Sequence, residues 1–424
     1  MPFKNLGLHP LLVRTTGELG YKEPTPVQAG AIPPALTGQD VLATAQTGTG
    51  KTAAFLLPIL HRLIGQPTGA IRVIIVSPTR ELAEQIEEAC RGFAKHTQVR
   101  SALVVGGRPM GSQERALRAG TEIVVATPGR LLDHMQQTPG RFDRVTVFVL
   151  DEADSMLDMG FLPDVERIIA RLPAREQTLM FSATMPPIIA KLAGNILRNP
   201  VKVQIGRRST AAVGITQAVY PVPQHLKTSL LRHMLRNMEM PSLLVFVRTR
   251  HGARKLAKVI TADGFTVAEL HADRTPGQRT RAMEGFRKGD FQVMVATNIA
   301  ARGLDVEHIT HVISVDVPDV PEDYVHRIGR TGRAGAEGDA FLMVASEEEG
   351  SLTRIERQVG QRLPRITLPD FDYNAPAPKP TGTSGPARPA SPRRGSQPRS
   401  GGSSGGGSGR GRSGPLGKPP RRGS

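Results

Sequence analysis

Two stretches of this sequence combine residue types that could handle a polyphosphate. The first is Ala45-Gln46-Thr47-Gly48-Thr49-Gly50-Lys51-Thr52, which comes after a short apolar run and opens the helical pattern TAAFLLPILHRL. Its glycines let backbone N–H groups wrap phosphate oxygens, and the N-terminus of the following helix adds a favourable dipole. Lys51 would reach the terminal phosphates of a nucleotide, and the Thr52 hydroxyl would ligate Mg²⁺. The general pattern has Gly where this chain has Ala45. The second stretch, Asp151-Glu152-Ala153-Asp154, follows the apolar run VTVFVL. Asp151 at a strand end can hold the metal through water, and Glu152 is placed to orient or deprotonate an attacking water. Acidic residues also suit a helix N-terminus on grounds of charge alone. That simpler reading explains two carboxylates after a strand but not the phosphate loop upstream.

The elements that must position these residues are legible as apolar runs. In the first half they are 72–77 (RVIIVS), 122–126 (EIVVA), 145–150 (VTVFVL) and 178–181. In the second they are 242–247 (SLLVFV), 291–296 (FQVMVA), 311–315 (HVISV) and 340–344. Near-continuous apolar strands separated by helical patterns predict α/β domains with parallel sheets buried on both faces. In such sheets ligands bind beyond the carboxyl ends of the strands. The polar clusters SPTREL, ATPGR, DEAD and SAT each follow or close one of these strands, so one working edge is assembled from four strand ends. The periodicity breaks at 205–215, which predicts a domain over 1–207, a second over 208–373 and a tail over 374–424.

Composition limits the partners. The chain carries a net charge of +17 and a pI near 10.7, which favours a polyanion. Ten of those positive charges lie in residues 375–424, which contain no Asp or Glu and are mostly Gly, Ser, Pro and Arg. So little apolar surface predicts disorder there, with an electrostatic RNA tether as the functional reading and a solubilising tail as the plain one. No apolar run approaches the roughly 18 residues of a membrane span, and the N-terminus lacks the pattern of a secretory signal. Cys90, the one cysteine, allows no intrachain disulfide, which fits a reducing compartment. Within its helical pattern it reads as a packed residue.

With these residues in order, the chain resembles the DEAD-box RNA helicases over roughly residues 1–350. Gly20 to Gln28 (GYKEPTPVQ), with Phe3 upstream, resembles the Q motif, in which Phe3, Tyr21 and Gln28 would contact the adenine of ATP. Ser77 to Leu82 (SPTREL), Gly106-Gly107 and Thr127 to Arg130 (TPGR) resemble RNA-binding elements. Ser182-Ala183-Thr184 resembles the motif that couples ATP to RNA. Ala296 to Asp305 resembles motif V, and His326 to Arg333 (HRIGRTGR) resembles motif VI. The resemblance implies two tandem RecA-like domains and an RNA-dependent ATPase. Residues 45–52 and Asp305 would bind ATP, and Arg330 and Arg333 would act as arginine fingers. Asp154, Ser182, Thr184 and His326 would couple the sites. Arg80, Gly107, Thr127, Arg130, Arg279, Thr297 and Gly303 would contact RNA.

The mechanism implied is closure of the two domains around ATP and RNA, bending one RNA strand so that its partner leaves. Contacts to phosphate and ribose carry no sequence information, so binding should be sequence-independent. Four positions depart from the family pattern: Ala272 for Gly, Pro276 for Gln, Asn298 for Asp and Val315 for Tyr. Pro276 offers no side-chain amide to RNA, which keeps open an ATP-dependent RNA clamp or assembly factor with little unwinding. A DNA helicase and a membrane-recruited ATPase are further alternatives; the Q motif argues against the first and the lack of an amphipathic segment against the second. The Gly/Arg-rich tail and short linkers resemble the bacterial RhlE-type subgroup. By that analogy the setting is cytoplasmic, in ribosome assembly, RNA turnover or cold adaptation, with ribosomal or RNA-degradation proteins as possible partners.

Overall fold

Val73–Val76, Ile123–Ala126 and Val147–Leu150 are buried at every position, as strands covered on both faces must be. A computed structural model describes residues 2–45, 48–66, 69–205, 214–298, 308–332 and 337–377 and arranges thirteen strands in two sheets, parallel throughout. The first contains β1 (Val41–Thr44), β2 (Val73–Val76), β3 (Ser101–Val104), β4 (Ile123–Ala126), β5 (Val147–Leu150), β6 (Gln177–Ser182) and β7 (Val201–Gln204) in the order β3-β4-β2-β5-β6-β1-β7. The second contains β8 (Ile215–Pro221), β9 (Leu243–Val247), β10 (Val267–Leu270), β11 (Val293–Thr297), β12 (His311–Ser314) and β13 (Gly338–Val344) in the order β10-β11-β9-β12-β13-β8. Both are RecA-like α/β sheets. The alternation along β2 divides the first core: Val73 and Ile75 face one cluster of helices, Ile74 and Val76 the other. Truncating Ile74, which is fully buried, to Ala is expected to cost about 2–5 kcal/mol.

All eight apolar runs read from the sequence are strands. The five strands not read are β1, β3, β7, β8 and β10, and four of these are the sheet edges. Edge strands bury one face more than the other. β3 and β10 bury every second residue fully, which leaves no continuous apolar run to detect. The β8 edge is closed by the segment after the last helix: Val219 N–H donates to Pro364 O at 2.8 Å, and Ile366 N–H donates to Val219 O at 2.8 Å. Leu368, Phe371 and Tyr373 then pack on the second core. Covering an edge in this way blocks pairing with another chain. The seam residues 206–213 and the tail from 378 onward lie outside the described residues. Among the described residues, no helix is long and apolar enough to cross a membrane.

Candidate active site

Each polar cluster stands at the carboxyl end of a strand in the first sheet. β1 leads through Ala45 and Gly48–Gly50 into the helix Lys51–Leu63. Gly50 caps this helix at φ +88°, a left-handed conformation, and a Cβ there would lie 2.4 Å from Gln28 Nε2. Lys51 is buried at 6% exposure and donates to Ala45 O at 3.0 Å, so its ammonium is folded back over the loop. Thr49 and Thr52 are partly buried, and Gly48 is exposed. Gln46 and Thr47 lie outside the described residues.

Gln28 sits in the first turn of the helix Pro26–Leu36. Its Oε1 accepts from Thr25 N–H at 2.9 Å, and its Nε2 donates to Gly50 O at 3.1 Å. The Q-motif amide is therefore fastened to the phosphate loop. Tyr21 is the exposed ring of this corner; it lies nearly perpendicular to Phe3, with centroids 6.2 Å apart, and tilted against Phe93 at 5.4 Å. Phe3 is buried in the core behind it.

β5 ends at Asp151. Glu152 adopts φ +51° at the start of the helix Ala153–Asp158, an uncommon conformation for a residue with a side chain. Its N–H donates to Asp151 Oδ1 at 3.0 Å, and its Oε2 accepts from the Ser155 hydroxyl at 3.1 Å. Burial pushes the Asp151 carboxyl up to about 7, with Lys51 pulling the other way and Glu152 adding to the rise. The buried Asp151 carboxylate and the Thr52 hydroxyl are both oxygen donors of the kind a hard cation such as Mg²⁺ takes.

Asp154 binds the next strand end. Its Oδ2 accepts from Ala183 N–H at 3.1 Å, Thr184 N–H at 2.7 Å and the Thr184 hydroxyl at 2.9 Å. Its own N–H donates to Ser182 Oγ at 3.3 Å. The same Oδ2 meets His326 Nε2 at 3.6 Å, on the helix Pro321–Ile328 of the second half. Burial opposes the charge of Asp154, yet His326, Lys51 and Thr184 hold it well below the usual carboxylate range. Burial likewise works against protonated His326, but Asp154 outweighs it and the imidazole rises above its ordinary value. Ser182, Thr184 and His326, named with Asp154 in sequence terms as a coupling set, thus all meet Asp154.

Arg330 is buried at 3% and donates from Nε to His326 O at 3.1 Å, which brings it beside this cluster. Arg333, Asp305 and Gly303 lie outside the described residues. Thr297 closes β11. Asn298, where the family has Asp, donates to Asp323 Oδ2 at 2.8 Å and accepts from Arg327 Nε at 2.8 Å. An amide makes both bonds, which a carboxylate could not. Val315 is buried, and its carbonyl accepts from Lys227 Nζ at 2.8 Å.

The elements read as RNA contacts lie on neighbouring strand ends. Arg80 begins the helix Arg80–Phe93, and its guanidinium lies against Gly106, where a Cβ would sit 3.2 Å from Nη2. Gly107 has φ +80°. Thr127 caps the helix Pro128–Gln137, and Arg130 Nη1 donates to Arg108 O at 2.8 Å. Arg279, from the second half, donates from Nε to Glu81 Oε1 at 2.7 Å. Pro276 begins the helix Pro276–Lys288, whose first turn is held by Thr275 and Gln278: Thr275 N–H donates to Gln278 Oε1 at 3.0 Å. Gln278 is thus occupied as a cap. Two participants escaped the sequence reading. Ser155 stands one helical turn from Glu152, a spacing that could have signalled it. Glu81 adjoins Arg80, but its partner is 198 residues away and no local pattern marks the pair.

Both halves of the chain match known proteins. Residues 25–192 match the DEAD/DEAH box helicase family and residues 226–335 match the helicase conserved C-terminal domain. The chain is 40% identical over 371 residues to the DEAD-box ATP-dependent RNA helicase CshA of Bacillus cereus, covering 87% of this chain and 70% of that protein. It is 41% identical to the ATP-dependent RNA helicase DeaD of Mycobacterium tuberculosis, covering 87% and 65%. Among solved structures, S. cerevisiae Dbp5 bound to RNA and ADP BeF3 superposes with a TM-score of 0.78 at 30% identity, over 86% of this chain and 95% of that one. Mss116p bound to ssRNA and AMP-PNP gives 0.79 at 28%, over 86% and 78%.

Proposed function

The chain belongs to the DEAD-box ATP-dependent RNA helicases, and from that premise we propose that it grips RNA without regard to sequence and separates short duplexes by closing its two halves around ATP. It is an RNA helicase that uses ATP. The observation supporting closure as the working step is the Asp154 cluster, in which the carboxylate holds Thr184 and, from the other half, His326, while the Asp154 N–H donates to Ser182 Oγ. An element that touches the ATP-binding edge and both halves can be biased by either ligand, so each ligand strengthens binding of the other.

Within this scheme Lys51 and the N-terminus of its helix hold the phosphates. Glu152, steadied by Ser155, takes the proton of the attacking water. Arg330 and Arg333 meet the charge that develops on the transferred phosphoryl group. Mg²⁺, held by Asp151 and Thr52, would neutralise phosphate charge. Arg80, Thr127 and Arg130 hold RNA phosphates, with Gly107 allowing close backbone approach. Arg279 reaches RNA only by leaving Glu81. Because Gln278 is engaged as a cap and Pro276 has no amide, a second-half contact is missing, which favours as second reading a clamp that closes on RNA with little unwinding.

The test is the steady-state ATPase rate with single-stranded RNA, with single-stranded DNA and with neither, using Glu152→Gln as the blank. Stimulation by RNA alone is the expected result. Equal stimulation by DNA would indicate a DNA helicase, and none by either would contradict RNA-driven closure. Strand displacement on a short duplex then separates helicase from clamp. The Gly/Arg-rich tail supports placement in the RhlE-type subgroup, a cytoplasmic setting in ribosome assembly or RNA turnover, and an electrostatic tether. Removing residues 375–424 is expected to weaken RNA binding and flatten its dependence on salt; an unchanged slope would remove the tether.

A further inference from the structure

At the edge of the first sheet opposite the nucleotide loop, a cavity of about 220 Å³ opens between the strand starts and the end of the helix Lys51–Leu63. Its floor is a row of three residues that immediately precede β2, β5 and β6: Arg72, Thr146 and Glu176. Thr146 N–H donates to Arg72 O at 2.8 Å and Glu176 N–H to Thr146 O at 2.9 Å, which fixes the row in register. Its roof is Ile59, Arg62, Leu63 and Gln66. Two guanidinium groups therefore share one cavity with a single carboxylate.

That carboxylate is committed, since Glu176 pairs with Arg62. Arg72 Nε is buried and has no hydrogen-bond partner, and Arg72 forms no ion pair among the described residues. A buried guanidinium donor without an acceptor is a rare condition. Arg62 shows the same excess of charge: burial, and next the charge of Arg72, pull it below its ordinary value. A simpler explanation, that Arg62 complements the negative end of its helix, accounts for Arg62 and Glu176 but leaves Arg72 without purpose. Its fork is suited to two oxygens of one planar or tetrahedral oxyanion.

We propose that this cavity is a binding site for a small oxyanion, a phosphoryl or carboxylate group, held by Arg72 and Arg62 with Gln66 as a further donor. The site lies at the far end of the helix whose first residues face the nucleotide phosphates. Thirteen residues at about 1.5 Å each separate the two ends by roughly 20 Å. The oxyanion would not compete with ATP, and it would clamp the last turn of that helix to three strand starts.

The experiment is a methyl NMR titration of the full chain carrying Lys51→Ala, so that the nucleotide loop does not report. Inorganic phosphate and, separately, acetate are added at constant ionic strength set with chloride, and the Ile59, Val73 and Val147 methyls are followed. A saturable shift of these methyls with either anion, weakened at least about tenfold by Arg72→Gln, is the expected result. The anion that binds more tightly identifies phosphoryl or carboxylate as the natural group. Arg72→Lys, which keeps the charge but not the fork, should fall between. Shifts that fail to saturate, or that persist unchanged in both variants, would overturn the site. An unaltered methyl spectrum elsewhere in each variant establishes that the fold is intact.

Discussion

The first half of the chain assembles its part of the site within one sheet, whereas the second half delivers its part on a short stretch of helix. Residues at the ends of β1, β5 and β6 are held by hydrogen bonds that need nothing from the other half: Lys51 to Ala45, Glu152 to Ser155, Asp154 to Thr184. The second half supplies His326 and, through the His326 carbonyl, Arg330, joined to the first by the contact with Asp154. A second link, Arg279 to Glu81, lies among the RNA-binding elements. The difference suggests a division of labour. On the proposed mechanism the first half is expected to bind nucleotide by itself, and the second to decide whether bound nucleotide is turned over.

Variants that affect one half and spare the other would break or sharpen this division. The largest effect is expected from Glu152→Gln, which should leave ATP binding near normal and lower turnover by roughly 10²–10⁴-fold. Near-normal turnover in that variant would remove Glu152 as the base. Lys51→Ala removes the buried ammonium and should weaken ATP binding by about a hundredfold or more, read by equilibrium titration with a fluorescent analogue. Retained affinity would mean that the loop holds phosphate by its backbone alone.

His326→Gln should behave differently from both. ATP affinity without RNA should hold, while the mutual strengthening of ATP and RNA falls by about tenfold. The effect has a sign in pH. His326 faces Asp154 and Glu152, with Arg330 opposing; Asp158 and Asp323 also lie within 4.8 Å of its ring. Its ionisation is raised in the closed contact, so that contact is fully stabilised below the ordinary value of 6.5 and weakens as pH rises through the raised value. Asp154, held low, stays charged throughout. Coupling should thus decline more steeply on the alkaline side in the parent than in His326→Gln, where Asp151 still titrates; parallel profiles would detach His326 from the switch. The smallest effect is expected at Arg279 and Glu81, both partly exposed. Glu81→Arg or Arg279→Glu should shift RNA affinity by no more than about fivefold, and the double exchange should recover part of it. A double exchange no better than either single variant would show that the pair is incidental.

What could be read in the sequence divides along a similar line. Residues 45–52 and 151–154 are contiguous, so their chemistry shows without knowing the fold, and the fully buried central strands reveal themselves as unbroken apolar runs. β3, β7 and β10 hide because an edge strand is half solvated and takes its conformation from one neighbour's ladder, whereas β8 is buried over 217–220 and has its edge covered by 364–366. The meeting of Asp154 with Ser182, Thr184 and His326 was anticipated only through family resemblance; nothing local to any of the four requires it. Glu81 with Arg279, and Arg62 with Arg72 and Glu176, were out of reach because such pairings are set by the stacking of strands far apart in the chain. The roles given to Arg333, Asp305 and Gly303 rest on motif order, since these positions lie outside the described residues.

The central claim is that ATP and RNA are linked through closure of the two halves at Asp154 and His326. The most direct measurement is the affinity for a short single-stranded RNA, taken with and without AMP-PNP, in the parent and in His326→Gln. Tightening of about tenfold or more in the parent, largely lost in the variant while ATP affinity alone is kept, is the result predicted. RNA affinity that ignores AMP-PNP in the parent, or tightens equally in both proteins, would contradict the account.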